Sequence, residues 1–142
     1  MRVMVIVQAN EDTEAGVMPS EEMLAAMGNF NEELVNAGIM KAGEGLHPSS
    51  RGKRIKFNGS KRTVIDGPFS ETKELVAGFW IWEVKSMDDA VAWAKRCPNP
   101  MPNEEGVLEI RPIHTPEDFA HLDPTGEITK QEQELRNRLE QS

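Results

Sequence analysis

Two runs without a polar residue, Val3-Met4-Val5-Ile6-Val7 and Phe79-Trp80-Ile81-Trp82, limit the architectures open to this chain more than any other feature. Each has the length of a short strand, and neither alternates apolar with polar positions as a strand with one wet face does. Both are therefore expected as central strands covered on both faces. Helical stripes follow each run. Pro19 and Ser20 precede Met23, Met27, Phe30 and Leu34, spaced as on one side of a helix, and Gly38 supplies the stop. Ser86, with Asp89 at the capping-box position, opens a second helix whose inner stripe is Met87, Ala90, Val91 and Ala94, ended by Cys97, Pro98 and Pro100.

The remaining segments complete an α+β pattern. Residues 39–46 read as a strand interrupted by Gly43 and Gly45, which permit a bulge or the close approach of another backbone. Residues 54–57 and 62–65 flank Asn58-Gly59-Ser60 and predict a β-hairpin, and residues 107–113 supply the last strand. The order is βαβ, a hairpin insertion, then βαβ, which makes residues 1–113 one domain and residues 114–142 a C-terminal extension. In that extension Thr129 and Glu132 form a capping signature ahead of Leu135 and Leu139, so a helix is expected that docks on the body or on a partner. Two helices cover one face of a four-stranded antiparallel sheet, whereas the apolar runs require cover on both. Burying a Trp or Phe side chain is worth about 1.5–3 kcal/mol, so a second subunit is expected on the open face, giving a sheet-to-sheet homodimer.

Charge and cysteine content narrow the function classes. A formal net charge of −8 opposes binding to nucleic acid or anionic lipid. The lone Cys97 allows no internal disulfide, residues 1–8 do not resemble a signal peptide, and no apolar run approaches the roughly 20 residues of a membrane span. A cytoplasmic protein is expected, with no membrane and no nucleic-acid partner.

Three stretches carry a family resemblance: Ala42-Gly43-Glu44-Gly45-Leu46-His47-Pro48, then Asp66-Gly67-Pro68-Phe69-Ser70-Glu71-Thr72-Lys73-Glu74, then Ala77-Gly78-Phe79-Trp80. In order and spacing they resemble the DGPF branch of the YCII-related family, over Met1 to about Ile113. The resemblance implies a ferredoxin-like βαββαβ fold that dimerises through its sheets into an αβ barrel. About activity it implies less: some relatives on this barrel are small-molecule lyases or isomerases, and some DGPF members accompany extracytoplasmic-function sigma factors. Fold by itself does not choose between them.

Each chemically suggestive residue has a plain structural reading beside the functional one. Asp66-Gly67-Pro68 makes a rigid turn, and the same turn can present the Asp66 carboxylate, followed by Glu71, Lys73 and Glu74, to a cleft beside the sheet. His47 is either a solvated strand-end side chain or a proton shuttle oriented by Asp66. Arg51, Lys53, Arg54, Lys56, Lys61 and Arg62 place six cations in a segment without an acid. Such residues protect a sheet edge, or draw a carboxylate or phosphate in. Trp80 and Trp82 share a strand face with Gly78 and serve core or dimer packing, or wall a planar ligand.

The histidines and the cysteine lack metal-site spacing, and no phosphate-binding glycine loop or nucleophile elbow occurs, so neither a metal nor a cofactor is expected. The leading expectation is a small-molecule-binding domain or enzyme performing lyase- or isomerase-type proton transfer on a small anion. His47 is its base, Asp66 the orienting partner, Arg54 or Arg62 the anion anchor, and Glu71, Lys73, Glu74 and Trp80 further ligand contacts. The alternative is a non-catalytic accessory or regulatory protein associated with a sigma factor, in which His47 is dispensable.

Overall fold

A computed structural model describes residues 1–141 of the chain. It divides into two compact units, Met1–Pro112 and the segment from Ile113 onward. In the first unit the strands β1 (Arg2–Gln8), β2 (Met40–Gly45), β5 (Val76–Glu83) and β6 (Leu108–Pro112) form one antiparallel sheet in the order β2-β5-β1-β6. The helices α2 (Glu21–Asn36) and α3 (Met87–Ala94) provide the two crossovers, and β3 (Lys53–Asn58) and β4 (Lys61–Asp66) form the inserted hairpin. This is the ferredoxin-like α+β arrangement, with the two apolar runs as its central strands.

Local chemistry accounts for the helix ends. The Ser20 side chain accepts from Met23 N at 3.1 Å, and at the other end Gly38 takes φ 74 while Ile39 N reaches Leu34 O and Gly38 N reaches Val35 O. That pair of bonds is a Schellman stop, which needs the left-handed conformation a glycine adopts at no steric cost. Ser86 accepts from Asp89 N at 3.1 Å and starts α3 in the same way. One further turn, α1 (Glu11–Glu14), arises where a polar loop was expected, because Asn10 and Thr13 cap it reciprocally.

The helix-side face of the sheet holds the core. Val3, Val5, Trp80 and Trp82 pack against Phe30 and Leu34 of α2 and Ala90 of α3. Phe30 meets both indoles edge-on, at centroid distances of 6.0 and 6.2 Å. Trp80 and Trp82 are 5% and 0% exposed within a single protomer, so helix α2, and not a second subunit, keeps water from them. The part of the dimer argument that rested on the indoles is thereby corrected. Alternation along the strands sends Met4, Ile6, Phe79 and Ile81 to the other face, where they stay half-buried.

Gly43 lies opposite Trp80, and a Cβ there would stand 2.8 Å from Trp80 Cδ1 and 2.6 Å from Met40 Cε. What approaches Gly43 is thus an indole and a methionine side chain, in place of the expected backbone. The hairpin stands apart from this body: β3 and β4 pair only with each other, and all twelve of their residues are exposed.

In the second unit, α4 (Glu127–Glu140) begins earlier than its expected Thr129 cap. Asp123 takes the capping role, accepting from Thr129 N at 2.8 Å, Thr129 Oγ1 at 2.7 Å and Ile128 N at 3.2 Å. An aspartate preceding the helix outcompetes a threonine inside it, because a carboxylate accepts several bonds at once.

Candidate functional site

The segment after β2 and the loop after β4 are tied together at Ser49. Its N–H donates to Glu14 Oε1 at 3.0 Å and its hydroxyl donates to Glu14 Oε2. Phe69 N donates to the same hydroxyl oxygen at 3.0 Å. Gly67 N donates to Gly52 O at 3.0 Å, and the Gly67–Pro68 peptide bond is cis. The Asp66-Gly67-Pro68-Phe69 turn therefore rests on residues 48–52, which form a short 3-10 turn, Ser49–Arg51.

These contacts shape a cleft of about 450 Å³, lined among others by Glu14, His47, Arg51, Arg54 and Phe69. The Arg54 guanidinium lies 3.9 Å from the Phe69 ring centre, a stacked cation that fixes the base of the hairpin against the loop. Arg51 Nη1 stands 3.0 Å from both ring nitrogens of His47. A point equidistant from both nitrogens cannot lie along either in-plane lone pair. The guanidinium therefore sits against the ring, and His47 itself is exposed.

Of the residues singled out by sequence, His47 and Arg54 line this cleft. Asp66 faces elsewhere: its carboxylate accepts from Lys53 Nζ at 2.6 Å, across the first pair of the hairpin, while His47 has Arg51 as its neighbour. Arg62 lies at the hairpin tip, donating to Gly59 O at 2.7 Å and resting 4.6 Å from the Phe57 ring centre. Glu71, with φ 64, begins the exposed turn Thr72–Glu74 that carries Lys73 and Glu74. Trp80 belongs to a different hollow. Its Nε1 donates to Asn31 Oδ1 at 2.8 Å beneath a cleft of about 950 Å³ between α2 and the sheet.

Glu14, Ser49 and Asn31 were not singled out in advance. Asn31 carried a signal, since it is a polar residue on the same helical side as Met27 and Leu34. Glu14 and Ser49 lie far apart in sequence and belong to no motif. Burial pushes the Cys97 thiol up to about 11, which removes it as a nucleophile at neutral pH. Among the described residues no helix is long and apolar enough to cross a membrane.

The YCII-related domain model matches residues 1–116, most of the chain. The protein belongs to the YCII-related family. An uncharacterised protein of Rhizobium meliloti (strain 1021) is 29% identical to this YCII-related chain over 93 residues, spanning 66% of it and 74% of the relative. Among solved structures, 5-chloro-2-hydroxyhydroquinone dehydrochlorinase from Burkholderia phenoliruptrix AC1100, in complex with 2,5-dihydroxybenzoquinone, aligns at a TM-score of 0.43 and 14% identity, covering 82% of this chain and 98% of its own.

Proposed function

We propose that this YCII-related protein binds a small organic anion in the cleft between residues 47–54 and the Asp66-Gly67-Pro68-Phe69 turn, and that His47 moves a proton on it. The observation that carries this reading is the His47 ring itself. It is exposed and lines a cleft, with the Arg51 guanidinium 3.0 Å from both of its nitrogens. An imidazole so placed accepts a proton on one nitrogen while the other is held or solvated. Arg54 supplies a second cation at the cleft, already held by Phe69, so anchoring a carboxylate there needs little further ordering of the side chain. Asp66 supports the cleft through Lys53, by fixing where the hairpin departs, and Glu71, Lys73 and Glu74 border the same loop. The chemistry is elimination or isomerisation of a small carboxylated ring compound. The working form is a homodimer joined through the open sheet faces.

Thermal-shift titration with small aromatic and alicyclic carboxylates tests the binding step, because a ligand of the folded state raises its melting temperature with occupancy. Arg54→Ala is expected to weaken affinity by about tenfold or more, in line with loss of one charge-assisted hydrogen-bonding partner. His47→Asn should leave binding nearly intact while abolishing turnover of any substrate so found. Equal affinity in wild type and Arg54→Ala, or full turnover by His47→Asn, would remove the proposed site and favour a role in protein contacts alone.

A further inference from the structure

The hairpin β3–β4 has a composition that solvent does not suit. Cross-strand register places Ile55 opposite Val64 and Phe57 opposite Arg62, so Ile55, Phe57 and Val64 share one face, exposed by 48%, 68% and 59%. The reverse face carries Arg54, Lys56 and Lys61. A lone two-stranded ribbon is marginal in water unless an apolar face is covered, and among the described residues the Arg62 guanidinium, 4.6 Å from the Phe57 ring centre, screens this face in part and leaves Ile55, Phe57 and Val64 exposed.

The second hollow has the opposite composition. The cleft of about 950 Å³ between α2 and the sheet is walled by Met18, Met23, Met27 and Met101 above the Trp80 indole. Its lining also includes Asp12, Glu22, Glu44 and Glu104 and no lysine, arginine or histidine. Methionine walls adapt to an inserted apolar group, and an acid-only rim selects a cationic visitor. Residues 51–65 hold six basic residues and no acid, in a chain with 24 acidic against 16 basic residues overall.

The geometry points to the hairpin of one protomer docking in the methionine-lined cleft of a second copy of the chain, with Phe57 entering the cleft, Arg62 beside it on the same face, and Lys56 and Lys61 reaching round from the reverse face to the carboxylates of its rim. Each unpartnered surface is thereby given the occupant its chemistry asks for. In a twofold dimer the contact occurs twice, since the same hairpin and cleft exist on both copies. The inference is independent of proton transfer at His47 and adds a second contact to the sheet-faced dimer.

Two full-length chains, one with Phe57→Cys and one with Met18→Cys, each also carrying Cys97→Ser so that it holds a single thiol, are mixed and oxidised. A covalent heterodimer on a non-reducing gel is the expected product, forming severalfold more slowly at 500 mM than at 50 mM salt because the contact is charge-steered. Charge reversal provides a second readout that does not depend on an introduced thiol. Lys56→Glu with Lys61→Glu in one chain is expected to weaken association by about tenfold or more, and Glu22→Lys with Glu104→Lys in its partner to restore it. A chain that is dimeric by light scattering yet forms no heterodimer and ignores both reversals overturns hairpin docking and leaves the sheet-faced dimer standing. A chain that is monomeric at micromolar concentration overturns both. Cross-linking unaffected by salt and by charge reversal also counts against the proposal, since it would mean chance collision of exposed thiols.

Discussion

Gly67 sits where no side chain fits. A Cβ at that position would lie 1.7 Å from the carbonyl oxygen of Ser49 and 2.7 Å from its carbonyl carbon, and the obstacle is backbone, which cannot rotate aside. The amide of Gly67 at the same time donates to Gly52, so the loop cannot back away without losing a bond. Gly67→Ala is therefore expected to destabilise the protein by about 3 kcal/mol, the upper part of the range for overpacking substitutions. For a chain of this size that is a fall in melting temperature of roughly 6–12 °C, read by thermal unfolding. A variant melting with wild type would mean that the turn does not rest on Ser49. The Asp66-Gly67-Pro68 run was legible as a rigid turn from residue types alone. Why its middle residue must be glycine was not, because the obstacle comes from a residue distant in sequence.

At the scale of elements, α4 shows how a helix start is misplaced by reading one cap signature in isolation. Thr129 has the residue type of a cap, yet its own hydroxyl donates to the Asp123 carboxylate that caps the helix. The Thr129 side-chain bond, followed by the amides of Thr129, Ile128 and Gly126, holds the Asp123 carboxyl below its ordinary range. A carboxylate with a depressed folded pKa contributes stability that is present above its unfolded value and lost as pH falls through the lowered one. The start of α4 is accordingly expected to fray in acid below about pH 4, the ordinary aspartate range, and in Asp123→Ala at every pH. Amide exchange at Ile128 and Thr129 measures this. Exchange equally slow in the variant at neutral pH would assign the cap elsewhere. By contrast α2 begins and ends, and α3 begins, as their sequences predict, because Ser20, Gly38 and Ser86 act within one turn of themselves. Elements governed by neighbours within four residues were readable, and the pairing of Ser49 and Gly52 with Glu14 and residues 67–69 was not.

For the whole molecule, the two apolar runs gave the right sheet and the wrong reason for a second subunit. An unbroken run says that both faces are apolar but not which side chain lies on which, and the pleat assigns the indoles to the helix side. What remains for a partner is the row Met4, Ile6, Phe79 and Ile81, central on the open face and bordered by Arg111 and Glu109 opposite Met4 and Ile6. Because these four side chains are already half-buried, completing their burial contributes less than the roughly 1.5–3 kcal/mol each of a fully exposed residue. Half of that, summed over both subunits, is about 6–12 kcal/mol, of the same order as the roughly 4–15 kcal/mol that joining two bodies costs, so the proposed dimer needs further contacts beside this row. In the proposed dimer the charged border sets register and keeps the apolar row from indiscriminate contact. Ile81→Asp puts a carboxylate at the middle of that row, and burying it unpaired costs several kcal/mol per subunit. The variant is expected to sediment as a folded monomer at concentrations where wild type is a dimer, with an unchanged far-ultraviolet circular dichroism spectrum. If Ile81→Asp and wild type sediment alike as dimers, the copies meet through another surface, and the open sheet face must be assigned a different partner.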